Sequence, residues 1–216
     1  MTDLDLANRA LSLLGEGSIA ELSEAAAASD DRVAHCLRML PHAKGEFLTL
    51  YDWGFARAQA ELVAASSPPL NWDFAHTLPD SFRRLVAVYT AAEASSPAGA
   101  WEKVERFALG GGVIRSDYEF LAIEYVNDAP FTLWPAYAIA AIARLLAHYL
   151  AIPVTGQPDI AQLMLSTYEQ RDRPNALYQD ATQWASNENH EPAMLLSRST
   201  LITERSRGLT SYDEGY

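Results

Sequence analysis

Five histidines, His35, His42, His76, His148 and His190, are the first side chains to test for chemistry. A metal site needs two of them at helical or hairpin spacing beside further ligands, as in His-Glu-x-x-His. No such spacing occurs. His35 and His42 lie seven apart on one helical pattern with Pro41 between them, which suits surface or edge positions. The single cysteine, Cys36, makes no internal disulfide and no cysteine metal cluster, and its apolar helical setting is that of a small core residue. Gly110-Gly111-Gly112 lacks the Lys-Ser or Lys-Thr and the following helix of a phosphate loop, so it reads as a hairpin turn. There is no Gly-x-Ser-x-Gly nucleophile elbow. Paired carboxylates for sugar hydrolysis meet only in three dimensions, and 28 acidic residues make any such pair uninformative. Trp53, Trp72, Trp101, Trp134 and Trp184 have faces that line sugar sites, but tryptophan anchors cores and interfaces more often. These residue types predict a protein that is not an enzyme, with no catalytic residue, no metal and no cofactor.

Residues 131–150 are the element most strongly determined by pattern. Phe131, Trp134, Ala138, Ile142, Leu145 and Tyr149 recur at steps of three or four, and Ile139, Leu146 and Leu150 widen the stripe. Pro135 suits the first turn, and Pro153 and Gly156 predict the end. Burying about eight such side chains contributes roughly 12–24 kcal/mol before chain entropy is subtracted. The length also suits a membrane span. Arg144 and His148, one turn apart in its second half, and the lack of flanking Lys or Arg clusters favour a core helix and no membrane. Both side chains then lie at the helix edge, as candidates for contact with a neighbouring helix or a neighbouring subunit.

The remaining elements follow in order. Residues 3–15 read as an amphipathic helix through Leu4, Ala7, Leu11 and Leu14, ended by Gly15 and Gly17. Residues 16–28 read as a loop, with the alanines at 25–28 able to start the next helix. Ser29 or Asp30 caps that helix, whose stripe runs from Val33 to Tyr51 and is kinked or split at Pro41. Residues 55–65 are ambiguous between strand and helix. Residues 85–89, 101–107 and 113–115 are strand candidates, and Leu121, Ile123 and Tyr125 alternate with Ala122 and Glu124. Residues 90–100 read as a flexible linker or hairpin loop. Residues 53–127 thus predict a small antiparallel sheet between helices. A last helix opens at Pro158 and is broken or kinked at Pro174. The expected domains are a core at 1–185, with helices at 1–50 and 131–185, and a polar arm at 186–216.

The net charge of −12 argues against a nucleic-acid binder that works through a basic footprint. The acidic start of the chain lacks the basic and apolar regions of a signal peptide, so secretion by the usual route is not expected.

Four stretches taken in order carry a resemblance. They are Asn8-Arg9-Ala10-Leu11-Ser12-Leu13-Leu14-Gly15-Glu16; Cys36-Leu37-Arg38-Met39-Leu40-Pro41 followed by Trp53-Gly54-Phe55-Ala56; Leu78-Pro79-Asp80-Ser81-Phe82-Arg83-Arg84-Leu85; and Gly112-Val113-Ile114 through Ile123-Glu124-Tyr125-Val126 into Trp134 and Leu145-Leu146-Ala147. The chain resembles the head-to-tail adaptors of tailed bacteriophages, the tail tubular protein A kind, and their relatives in gene transfer agents. The long Ala/Ser-rich stretch at 90–100 matches no feature of that family.

The resemblance implies an α+β fold, mainly α: an antiparallel helix bundle with a small inserted antiparallel sheet and an extended C-terminal arm. It implies a virion protein at the head–tail junction, made in the host bacterial cytoplasm. Its partners would be itself, in a ring of roughly twelve subunits, the portal protein, and a downstream tail, stopper or nozzle protein. DNA would pass through the ring without specific binding. One branch of similar proteins adds peptidoglycan hydrolysis. An unrelated helical interaction module is the remaining alternative. In the arm, Met194, Leu195, Leu196, Leu201 and Ile202 would either fold back onto their own subunit or enter a groove of the portal, in the latter case with Arg198, Arg205 and Arg207 at the rim.

Overall fold

The computed structural model describes residues 1–64, 71–91 and 101–183. All belong to one compact unit, Met1–Gln183. The docking arm expected at 186–216, with Met194, Leu195, Leu196, Arg198, Leu201, Ile202, Arg205 and Arg207, lies outside the described residues; of the linker expected at 90–100, Thr90 ends a strand and 92–100 lie outside the described residues.

Helix α1 spans Asp3–Leu13 and opens with a capping box, Thr2 and Asp5 each bonding the other's backbone N–H. Gly15 follows at φ +78°, a conformation that glycine adopts at little cost. A short α2, Glu24–Ala27, occupies the stretch expected to be a loop. Helix α3 runs without interruption over Asp31–Leu50, capped by Asp30. Pro41 neither splits nor ends it, and its ring lies exposed on the outer side of the helix. The helix from 131 is corrected in detail. Phe131–Leu133 is a 3₁₀ turn, Pro135 is the cap, and α4 runs Ala136–Thr155 through Pro153 to Gly156 at φ +69°. Helix α5, Pro158–Thr167, passes through a π turn at Tyr168–Asp172 into α6, Arg173–Gln183. The expected break at Pro174 is therefore a widened turn just before it. In that turn the Arg173 N–H reaches back five residues to the Tyr168 carbonyl.

The expected helix bundle with a small sheet is not what forms. Two antiparallel sheets lie between α3 and α4. Strands β1 (Arg57–Leu62), β2 (Phe74–Thr77), β3 (Phe82–Thr90), β4 (Glu102–Lys103), β5 (Ala108–Gly110), β6 (Val113–Ser116) and β7 (Leu121–Asn127) divide between them. One sheet has the order β1-β7-β3-β4 and the other β2-β6-β5. The Ala64–His76 bridge and the Thr77 N–H to Val63 carbonyl bond join them. The physical reason is a second core. Leu62, Val88, Val104, Ile114, Leu121, Ile123 and Tyr125 bury one another apart from the helices. A sheet with its own core is a layer in its own right. Residues 104–107, expected within a strand, lie outside β4 and β5, whereas the ambiguous 57–62 is β1. Gly111 and Gly112, both at positive φ, form the two-residue turn between β5 and β6.

The helical core is centred on α4, which packs against α1, α3, α5 and α6. Leu11, Leu40, Ile139, Ile142, Leu145 and Leu146 are buried as the pattern predicts, and Leu37 is half-buried against them. Helix α4 is long and apolar enough to cross a membrane by length and composition, and over half of that window is buried within the protein.

Candidate functional site

Arg144 and His148, chosen from sequence as interface residues, point along the seam between α4 and α5–α6. The Arg144 guanidinium pairs with Asp172 in the π turn and reaches Met164 Sδ at 3.5 Å. His148 Nδ1 donates to the Ala161 carbonyl at 2.9 Å. Both side chains thus contact neighbouring helical segments of the same chain. Further along the seam, Asp180 is buried, accepting from Tyr137 Oη at 2.8 Å and from the Gly54 N–H at 2.9 Å. Burial, then the bond to Asp180, raises the Tyr137 phenol above its ordinary range. No sequence signal marked Asp180, because one acid on a polar helix looks like any exposed acid.

The sheets are tied to α3 by a second polar cluster. Asp128 receives Lys44 Nζ and Arg83, each at 2.7 Å, and Lys44 also lies 5.0 Å from the Phe131 ring centre. Arg84 pairs with Asp52 at 2.6 Å and donates to the Thr49 carbonyl. Burial alone would raise the Asp128 carboxyl, but Lys44 and Arg83 together outweigh it and hold it below its ordinary value.

A cavity of about 600 Å³ opens on β1, β7 and β3, lined by Gln59, Ala60, Glu61, Tyr89, Trp101, Ala122 and Ile123. Strand register explains its shape. Glu61 and Tyr89 both pair with Ala122, so a small side chain lies between a carboxylate and a phenol on one face. In the adjacent row Gln59 pairs with Glu124, which also receives Arg57 at 3.3 Å. Burial, then the charge and hydrogen bond of Glu124, raises the Tyr89 phenol.

The tryptophans divide by environment. Trp53 is buried and stacks on Phe47 at 4.5 Å, and Trp134 packs on Phe131. Trp72 carries the Arg106 guanidinium 5.1 Å from its ring centre. Trp101 lines the cavity, and Trp184 lies outside the described residues. Among the described residues no group of three or more His, Cys, Asp or Glu side chains could hold a metal ion. Cys36 is fully buried, which pushes its thiol up to about 11. No family model matches this chain, and no curated protein matches it.

Proposed function

We propose that the chain is a subunit of a head-to-tail adaptor ring, joining the portal of a phage or phage-like particle to a downstream tail, stopper or nozzle protein. What carries the reading is the order of the four stretches in the sequence, each of which includes a joint of the fold. Leu14-Gly15 ends α1. Trp53-Gly54-Phe55-Ala56 turns α3 into β1, with Trp53 stacked on Phe47 and Gly54 bonded to Asp180. Arg83 and Arg84 fasten the start of β3 to α3 and its surroundings. Trp134 leads into α4.

The charge distribution fits a passage for DNA. At least eight of the 16 Lys and Arg side chains are in ion pairs within the chain. The net charge of −12 is a surplus of acid, which repels phosphate and lets a duplex slide. Electron-microscope class averages of the purified protein test the reading. A rotationally symmetric ring that binds portal-bearing heads is the expected result. A monomer at every concentration, with no affinity for a portal, would overturn it.

A further inference from the structure

We propose that His42 and Glu46 on α3 form a surface site for a divalent transition cation of the zinc class, held by one imidazole nitrogen and one carboxylate oxygen. This stands apart from the adaptor reading and does not depend on it. The two residues are one turn apart on a helix that runs uninterrupted over Asp31–Leu50, so their Cβ atoms lie about 5–6 Å apart on one face. Both side chains are exposed. The same spacing brings the two histidines of His-Glu-x-x-His onto one ion, and here a carboxylate stands in the place of the second imidazole.

Tyr149 on α4 orients both side chains. Its hydroxyl donates to Glu46 Oε2, and its ring meets the His42 ring in a T-shaped contact, 5.0 Å between centres. The second carboxylate oxygen, Oε1, is left for an ion, and the phenol acts as the outer partner that fixes a ligand's direction. The charge of Glu46 is not matched by a cation. Among the described residues it is in no ion pair. Lys44 is turned to Asp128, and Arg38 stands two turns away, about 12 Å along the axis. The Tyr149 and Tyr168 phenols are both raised, by burial first and by Glu46 next, Tyr168 to about 12. A nitrogen and an oxygen ligand together favour zinc, nickel or copper over calcium and magnesium, which take oxygen alone. Two protein ligands are fewer than a closed site has, so water or donors from another molecule complete the coordination.

The test titrates zinc chloride into the full chain and follows the histidine rings in a long-range proton–nitrogen-15 correlation spectrum. The expected result is a saturable shift of the His42 ring nitrogens before any other histidine responds, with no shift on adding magnesium chloride. Tyr149→Phe keeps both ligands and removes the hydroxyl that orients Glu46, so zinc should bind about tenfold more weakly. Glu46→Gln, an exposed change, should weaken it further, with circular dichroism unchanged. If Tyr149→Phe disturbs the fold, Glu46→Gln decides. An unaltered zinc affinity in Glu46→Gln would mean association with a lone imidazole only and would overturn the proposal. So would a response at another histidine ahead of His42, or an equal response to magnesium.

Discussion

The Tyr137 hydroxyl donates to Asp180 at 2.8 Å across the seam between α4 and α6, and the same carboxylate accepts the Gly54 N–H at 2.9 Å. Three elements far apart in sequence meet on one buried acid. The bond matters because α6 buries little else, namely Ala176. Asp180→Ala leaves the buried Gly54 N–H without this acceptor and the Tyr137 hydroxyl with the longer contact to Gln183 Oε1 at 3.4 Å, a loss of about 2 kcal/mol. Hydrogen exchange should then show residues 173–183 losing protection while residues 136–155 keep theirs. Uniform loss across both segments would mean that α6 is not separately held.

Ile142 is fully enclosed in the helical core. Ile142→Asp places an unpaired carboxylate there, a destabilisation of more than about 3 kcal/mol. The melting temperature should fall steeply, and wild-type stability in this variant would mean that α4 is not the centre of the core.

The Asp128 cluster predicts an acid-sensitive junction between sheets and α3. The Asp128 carboxyl is held below its ordinary value in the folded protein. Its contribution is therefore present above the unfolded carboxylate range and is lost as pH falls through the folded value. Melting temperatures of wild type and Asp128→Asn should differ by a constant amount above about pH 5 and converge toward pH 3. A difference that instead grows on acidification contradicts the assigned ion pairs.

Gel shifts with duplex DNA should show negligible binding at physiological salt, because the chain has a net charge of −12 and no run of Lys or Arg for counterion release. Tight, salt-sensitive binding would remove the passive-channel part of the proposed function.

Deletion of residues 190–216 tests the arm. The truncated protein should keep the melting temperature of the Met1–Gln183 unit and, under the adaptor reading, fail to attach to portal-bearing heads. Unfolding of the truncated chain, or attachment as strong as that of the full chain, would rule out a docking arm.

Some of this molecule is decided by local pattern. The stripe through Ile139, Ile142, Leu145 and Leu146 determines α4 because each of those side chains must leave water and one helical face can bury them together. Gly111-Gly112 determines a turn because two successive residues at positive φ suit glycine. The alternation from Leu121 to Tyr125 determines a half-buried strand. None of these states what a strand pairs with. The second sheet rests on short strands, β2, β5 and β6, whose stability comes from neighbours and from the shared core around Ile114. Register alone brings Glu61, Ala122 and Tyr89 into one row, and a slip of one residue would send them to the opposite face. Helix packing alone chooses Asp172 and Ala161 as the partners of Arg144 and His148, and buries Asp180 where sequence shows one more acid. Hydrophobic periodicity reports which side chains avoid water, whereas the partners of polar groups are set by long-range contacts that carry no period.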